Sequence, residues 1–303
     1  MFLDKPKVVF DFDKTSDVKS FKNATLVDAH LFAKYSFLDL IALLVKYSDE
    51  QNIKSVYELA MKGIGNRVLD KTLQKKSYKI LDALLTSGDS NATTTAFIEA
   101  HFQLVATSFV SALGDCNAAA KVPRLKCLLH LMDYVKSVEQ QIFLRQILPE
   151  VILCLKEINF KSREASAALL ASMLRRWQKV TADAATPEVD SLGEFMRLVM
   201  VGLAGSGNMA ACTCLALASL ALEFREHVTG PLISELVEAA CLLSKSEHKE
   251  VVIASLTLLK VVCGIFAQST LAQYLTRICQ TILGLHEKRS GGVADTDSQN
   301  KHG

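Results

Sequence analysis

Proline and glycine are scarce in this sequence, with 5 prolines and 14 glycines among 303 residues. Segments in which apolar and polar residues alternate are also scarce, and this argues against a fold built mainly from half-buried β-strands. Half of the residues are hydrophobic, so the chain can bury a sizeable core, and disorder throughout is excluded. The scarcity of proline, glycine and alternating segments therefore favours helices.

A large net charge is also missing, because the formal net charge is only +2. Any basic surface must therefore be local. No apolar stretch long enough for a secretory signal follows residues 1–6. We therefore expect the eight cysteines to be buried free thiols of a reducing compartment. No C-x-x-C pair and no H-x-x-x-H pair occurs, so we expect no metal site.

Two apolar runs, 209–222 and 251–267, resemble membrane segments at first sight. The first is too short to cross ~30 Å of hydrocarbon, and the second carries Lys260 in its middle. Inner helices of a repeat array are covered on several sides and look apolar nearly all round. We therefore predict that both runs are core helices and that the chain has no transmembrane segment.

Three amphipathic helices in a row are predicted between Ala118 and Trp177. Their apolar stripes are Leu125, Leu128, Leu129, Met132 and Val135; then Leu144, Ile147, Leu148, Val151, Leu155 and Ile158; then Ala165, Leu169, Leu170, Met173 and Leu174. Pro123 falls near a helix start, whereas Pro149 falls inside a helix and needs neighbours to hold it. This is the pattern of a HEAT-type helical hairpin, which needs similar units stacked beside it.

Similar hairpins are predicted along the rest of the chain, with a period of roughly 40–48 residues. The predicted pairs are 52–63 with 70–86, 94–113 with 118–135, 138–157 with 161–179, 188–203 with 207–224, and 231–243 with 249–267. A helix over 32–47 precedes them, and a single helix over 270–286 follows. We therefore predict a polar leader over 1–30, an all-α HEAT/armadillo-like solenoid of about five repeats over 31–286, and a disordered tail over 287–303.

Two segments of this region, Pro123–His130 and Leu148–Glu157, resemble the ribosomal RNA-processing protein 12 family. The resemblance continues more weakly through 70–85, 202–224 and 251–266. That family comprises large nucleolar HEAT-repeat proteins of ribosome assembly, so the resemblance implies a partial or short member.

The resemblance further implies a non-catalytic scaffold in ribosomal RNA processing and in pre-ribosomal subunit assembly or export. It would act in the nucleus and nucleolus, with pre-ribosomal particles, ribosomal RNA or assembly-factor proteins as partners. No cofactor and no small-molecule substrate is implied. The alternative of the same structural class is a transport-receptor-type adaptor that binds only protein.

An enzyme-like motif lies near the N-terminus, where Val8–Thr15 reads as an apolar strand ending in D-x-D-x-T. It resembles the first motif of haloacid-dehalogenase-type phosphatases, in which Asp11 would be the nucleophile, Asp13 the general acid/base, and Mg²⁺ would offset the negative charges. That chemistry also needs a later lysine and an acidic pair on further parallel strands. The helical pattern that follows argues against this alternative.

Basic residues recur near the starts of the second helices: Lys71, Lys75 and Lys76; then Lys121, Arg124 and Lys126; then Lys161 and Arg163. We call this series of basic residues the ladder. In HEAT arrays these helices line the concave surface, so the ladder is a candidate for binding RNA phosphates or an acidic protein tail. A basic residue in this position also commonly bonds a neighbouring turn, and Asp70 and Asp115 are placed to accept such bonds. Both roles remain open.

A third candidate is the sequence Arg175-Arg176-Trp177, since arginines beside the one tryptophan could stack a flipped-out base. The alternative is that Trp177 ends a hydrophobic stripe. The predicted RNA-binding or acidic-partner residues are Lys75, Lys76, Arg124, Lys126, Lys161, Arg163, Arg175 and Arg176.

Overall fold

The computed structural model describes residues 26–65, 71–87, 91–184 and 190–285, and these ranges contain α-helices and short 3₁₀ helices but no strand. The α-helices are α1 (Leu26–Leu44), α2 (Glu50–Gly65), α3 (Lys71–Thr86), α4 (Ala92–Ala100), α5 (Phe102–Ser111), α6 (Lys121–Leu131), α7 (Gln141–Cys154), α8 (Phe160–Ala184), α9 (Ser191–Met200), α10 (Gly207–Glu223), α11 (Gly230–Leu243), α12 (Lys249–Ile265), α13 (Gln268–Leu271) and α14 (275–285). The predicted all-α class is confirmed.

The helices pack as a row of hairpins, each made of an outer helix and the inner helix that follows it. Outer helices α2, α7, α9 and α11 pack on inner helices α3, α8, α10 and α12, and the divided element α4–α5 precedes the inner helix α6. The inner helices also pack on one another in the order α1, α3, α6, α8, α10, α12. Every hairpin thus buries its apolar faces against its neighbours, as the predicted solenoid requires.

The structure differs from the predicted boundaries in the second hairpin and at the first helix. The outer element predicted over 94–113 is broken at His101, whose φ of −111° and ψ of 17° leave the helical region. The His101 ring stacks on Phe97 with a centroid distance of 4.5 Å, and its Nδ1 lies 2.9 Å from the Phe97 carbonyl oxygen. Helix α1 begins at Leu26, inside the predicted leader. The rest of the leader and the predicted tail lie outside the described residues.

The central core has most of the residues that the periodicity predicts, but the prediction was wrong for Ile158, which is 98% exposed because α7 ends at Cys154. Leu128, Leu148 and Leu169 are buried on α6, α7 and α8. Pro149 remains inside α7, where neighbouring side chains of this helix are buried against the adjoining helices. Tertiary packing therefore holds a helix that a proline would otherwise weaken by ~3 kcal/mol.

The two long apolar runs are core helices, as predicted. On α10 the residues from Ala210 to Cys214 are all buried, because α10 contacts α7, α8, α9 and α12. On α12 the apolar face is buried, whereas Lys260 is exposed. None of the helices in the described ranges combines the length and the apolar character needed to span a membrane.

The cysteines follow the prediction only in part. All eight are free. Five are buried and Cys116 is half-buried, but Cys263 and Cys279 are exposed. The prediction of buried thiols was wrong for these two, because α12 and α14 lie at the end of the described array, where fewer neighbours cover them.

Candidate nucleic-acid interface

Arg124 does not lie on a surface, contrary to the prediction. Its side chain is 0% exposed and forms a two-pronged ion pair with Glu150 on α7, with Nε–Oε1 at 2.7 Å and Nη2–Oε2 at 2.9 Å. Nη1 donates to the Tyr78 hydroxyl at 2.9 Å, and Nη2 donates to the Phe109 carbonyl at 2.8 Å. One guanidinium therefore joins α3, α5, α6 and α7.

The electrostatics of this buried cluster explain why the charge is tolerated. Burial alone would lower the pKa of Arg124, but the hydrogen bonds and the charge of Glu150 outweigh it and hold that pKa above its ordinary value. Burial also raises the pKa of Tyr78, so its hydroxyl stays neutral. The predicted binding role of Arg124 is replaced by a structural one.

Lys76 and Arg163 are also engaged within the fold. Lys76 forms an ion pair with Asp39 of α1. Arg163 donates from Nη1 to the carbonyl oxygens of Glu157 and Ile158, at 2.7 and 3.0 Å, in the turn between α7 and α8. Both contacts correspond to the structural alternative weighed for the ladder, although the partners differ. Asp70 and the Asp115 side chain lie outside what the structure describes.

The Arg175-Arg176-Trp177 segment is built into the array as well. Arg175 pairs with Glu223 of α10, and the Nη2 of Arg176 lies 2.9 Å from Oδ1 of Asp133. Trp177 is 3% exposed and packs edge-on against Phe195 at a centroid distance of 5.7 Å. A base cannot reach this ring, so the stacking hypothesis is wrong for Trp177 in the folded chain.

The remaining predicted lysines meet in one place. Lys75 of α3, Lys126 of α6 and Lys161 of α8 line a groove of about 410 Å³, together with Lys79. We call this surface the lysine groove. All four lysines are exposed, and none of their side chains has an ion-pair partner among the described residues. The groove therefore brings free positive charge from three successive inner helices to one surface.

Helix phase separates the free lysines from the engaged residues. Lys79 follows Lys75 by four positions and so lies on the same face of α3. Lys126 lies two positions after the buried Arg124, and Lys161 two positions before Arg163, so each points to a different side of its helix. Lys79 was not among the predicted site residues, although its i, i+4 spacing from Lys75 was a usable signal.

The surroundings of the lysine groove leave its charge largely uncompensated. Asp82 is the acidic residue in its lining, and Oδ1 of Asp82 is already 2.9 Å from Nδ1 of His130. The rest of the lining is small, apolar or amide: Ala118, Ala119, Val122, Pro123 and Asn159. No aromatic side chain lines this groove. It can attract phosphates, but it offers no ring on which a base could stack.

A second, larger groove of about 670 Å³ lies on α7 and the segment before α6. Its lysines are paired, Lys121 with Glu157 and Lys156 with Glu250. Glu150 in its wall is paired with Arg124. Because its charges are compensated within the fold, this groove is a poorer match for a polyanion despite its size.

The proposed phosphatase residues Asp11 and Asp13 lie outside the described residues. The parallel strands that their chemistry would require do not occur in ranges 26–65, 71–87, 91–184 and 190–285. Those ranges also contain no group of three or more histidine, cysteine or acidic residues placed to hold a metal ion.

Comparison with known proteins gives relatives of one kind. The RRP12-like protein of Gallus gallus is 31% identical over 269 residues, which cover 89% of this chain and 20% of that protein. The RRP12-like protein of Homo sapiens is 29% identical over 251 residues, covering 83% and 19%. Ribosomal RNA-processing protein 12 of Saccharomyces cerevisiae is 23% identical over 238 residues, covering 75% and 19%. The chain thus spans about a fifth of the length of these curated relatives.

Two further comparisons add little. No family model matches the chain. A designed armadillo repeat protein has a TM-score of 0.34 and 12% sequence identity, over 75% of this chain and 92% of that one. The stacked hairpins of this chain are established by its own helix packing.

Proposed function

Because the chain is homologous to the ribosomal RNA-processing protein 12 family over most of its length, we propose that it is a non-catalytic helical scaffold in ribosome biogenesis. It acts in ribosomal RNA processing and in the assembly or export of pre-ribosomal subunits, in the nucleus and nucleolus. The names of the relatives support the process. The row of stacked hairpins supports the scaffold role, since such arrays present extended binding surfaces.

The proposed contact with ribosomal RNA is the lysine groove. The observation that carries this is the meeting of Lys75, Lys79, Lys126 and Lys161, all exposed and free of ion pairs with described residues. Lysine ammonium groups bind phosphates as strongly hydrated point charges. The starts of α6 and α8 lie at the same groove and add the positive ends of two helix dipoles.

The lining of the lysine groove determines which part of an RNA it can contact. Aromatic platforms are what proteins use to stack unpaired bases, and the groove has none. Its contacts are therefore to backbone phosphates, which position RNA but carry no sequence information. We expect binding that is strongly salt-dependent and nearly indifferent to base sequence.

The test replaces all four groove lysines by alanine and measures the affinity for a labelled single-stranded RNA by fluorescence anisotropy over a range of salt. The log–log slope should flatten by roughly 0.7 for each phosphate that the groove no longer neutralises. The melting temperature should stay nearly unchanged, because these side chains make no bond that the fold needs. Arg124 is left intact, since changing it would confound binding with stability.

A matched control removes the same charge elsewhere, by replacing the exposed Lys54, Lys62, Lys245 and Lys260 with alanine. Equal loss of affinity in both quadruple variants would mean that net charge, rather than the groove, binds RNA. Unchanged affinity in the groove variant would refute the RNA contact. An acidic peptide that binds the wild type more tightly than RNA would favour the adaptor function instead.

The scaffold role is tested separately by pull-down from nuclear extract, with and without ribonuclease. Pre-ribosomal proteins and ribosomal RNA should be recovered with the wild type, and ribonuclease should reduce the protein recovered if RNA carries the association. Failure to recover any pre-ribosomal component would contradict the proposed process. That result would leave the in vitro RNA measurement unaffected.

A further inference from the structure

The turn between α7 and α8 holds two large apolar side chains in solvent, in the middle of the array. Ile158 is 98% exposed and Phe160 is 65% exposed. Single exposed apolar residues are ordinary, but this turn lies between hairpins that the structure describes on both sides of it. The exposure of Phe160 is therefore not a consequence of where the described residues end.

Hydrogen bonds fix the backbone of this turn. Nη1 of Arg163 donates to two carbonyl oxygens of the turn, at 2.7 and 3.0 Å. The side-chain oxygen of Asn159 accepts from the backbone N–H of Lys161 at 3.0 Å and caps the start of α8. These bonds hold the chain before and after Phe160, so the fold presents its ring from a defined position.

The Phe160 ring has a cation over one face. The guanidinium carbon of Arg163, three positions further along α8, lies 5.5 Å from the ring centroid. The negative face of an aromatic ring attracts such a cation. Because the residue is still largely exposed, the opposite face of the ring is open to solvent. One supported face and one open face are what a stacking platform for a base requires.

Phe160 has the access that Trp177 lacks. Arginines also neighbour Trp177, but that ring is 3% exposed and packs against Phe195. The chain therefore does offer an accessible ring beside an arginine, at a different place from the one that the sequence suggested.

This ring stands at the rim of the lysine groove. Asn159 and Lys161, which precede and follow Phe160 in the chain, both line that groove, whereas Phe160 does not. On the other side of the turn Glu157 lines the second groove, where Lys121 compensates its charge. Consecutive residues are only ~3.8 Å apart along the chain, so the ring is within reach of a nucleotide whose phosphate Lys161 binds.

We propose that Phe160 is a stacking platform for one unpaired base of an RNA whose phosphates lie in the lysine groove. This inference rests on the RNA contact proposed above and adds a base contact to it. Charge argues for this occupant: four free lysines beside the ring attract a polyanion, and a base is the flat apolar group that RNA carries. Stacking accepts every base but requires it to be unpaired, so the chain should prefer a single strand to a duplex of the same sequence.

The test compares Phe160→Ala with the wild type on two labelled probes by fluorescence anisotropy. One probe is single-stranded RNA; the other is inorganic polyphosphate of similar chain length, which has phosphates but no bases. The affinity for RNA should fall by about 5- to 150-fold, which corresponds to the loss of one stack between a base and an aromatic ring. The affinity for polyphosphate and the log–log salt slope for RNA should stay unchanged, because the ring neutralises no phosphate.

Two further substitutions separate the ring from its apolar bulk. Phe160→Leu keeps the bulk without the ring and should bind RNA as weakly as Phe160→Ala, whereas Phe160→Trp should bind at least as tightly as the wild type. Ile158→Ala removes an exposed apolar side chain from the same turn and is the control, which should leave the affinity unchanged. Thermal melting monitored by circular dichroism checks that every variant is folded.

The outcomes distinguish this inference from the RNA contact on which it rests. If Phe160→Ala binds RNA as the wild type does while the variant without the four groove lysines does not, the platform is refuted and the groove contact stands. A wild type that binds no RNA refutes both. Equal losses of affinity in Phe160→Ala and Ile158→Ala would also overturn the stacking role, since isoleucine has no ring, and would indicate a surface for an apolar protein partner.

Discussion

Replacement of Arg124 by methionine should destabilise the central hairpins strongly. Methionine has a comparable length and fills the space, but it removes every bond made by the guanidinium. The Glu150 side chain is 14% exposed, so its carboxylate would stay largely shielded from solvent and would lack its cation. The Tyr78 hydroxyl and the Phe109 carbonyl would be deprived of their donor at the same time.

The magnitude follows from the charge left behind. Breaking a buried ion pair on one side costs about 3–5 kcal/mol in the free energy of unfolding. Removing the hydrogen bonds to Tyr78 and Phe109 costs about 1–3 kcal/mol each where a buried group stays unpaired, but these costs overlap with the first because one side chain makes all the bonds. We therefore expect a total of about 3–5 kcal/mol for Arg124→Met.

The double variant Arg124→Met/Glu150→Leu distinguishes charge from packing. It removes both charges, so it should be more stable than Arg124→Met and lose only about 1–3 kcal/mol relative to the wild type. Arg124→Lys should fall between them, because an ammonium cannot reproduce the two-pronged contact. Lys126→Met, two residues away on the exposed side of α6, is the control and should change stability little.

Urea unfolding followed by circular dichroism and by Trp177 fluorescence provides the measurement. Trp177 is the single tryptophan of the chain and lies in α8, so its signal reports the central hairpins. Two probes are needed because solenoid stability is nearly a sum of neighbouring terms and its ends can unfold separately. A loss below about 1 kcal/mol for Arg124→Met would refute the reasoning. The reasoning would also be refuted if the double variant lost as much free energy of unfolding as Arg124→Met and Glu150→Leu lose separately when added together.

Two further outcomes are expected. The free energy of unfolding should fall by roughly 2–5 kcal/mol in each of three core variants, Leu128→Ala, Leu148→Ala and Leu169→Ala. The control Leu104→Ala, on an exposed face of α5, should have little effect. Equal melting temperatures for all four variants would mean that the assignment of buried helix faces is wrong. The fluorescence emission of Trp177 should be blue-shifted and should change little at saturating RNA, because the ring is buried against Phe195. Strong quenching by RNA that disappears in an Arg176→Ala variant would contradict the buried position of Trp177.

The sequence predicts the fold well because the apolar stripes are long and regular. Each stripe between Ala118 and Trp177 has the 3.6-residue period of a helix, and period is the strongest signal that a single sequence carries. The break at His101 was not predictable from that signal. The stripe Ile98–Phe102–Val105–Phe109 continues through the break, and the contact between the His101 ring and Phe97 at that point leaves no mark on the period.

The candidate site was predictable only in outline. The ladder of basic residues marked the right helices, and Lys75, Lys126 and Lys161 do meet in the lysine groove. Which residues would be engaged depended on partners far away in sequence, such as Glu150 for Arg124 and Asp39 for Lys76. Such pairings are set by how the hairpins stack, and local spacing does not contain them.

The arginines of the ladder are nevertheless all engaged within the fold, whereas its lysines divide between the two roles. Arg124, Arg163 and Arg176 each bond a carboxylate or carbonyl of another element or turn. Lys76 and Lys121 also pair within the fold, but every cation that lines the groove is a lysine. A guanidinium offers a rigid planar set of donors that matches fixed acceptors, and it is more weakly hydrated than an ammonium, so it suits positions where hairpins must keep one register. A lysine keeps a hydrated charge on a flexible stem, so it suits a surface that must follow a phosphate backbone. Arginine and lysine at neighbouring positions of one inner helix therefore allow the same ladder to fix the array and to present charge to a partner.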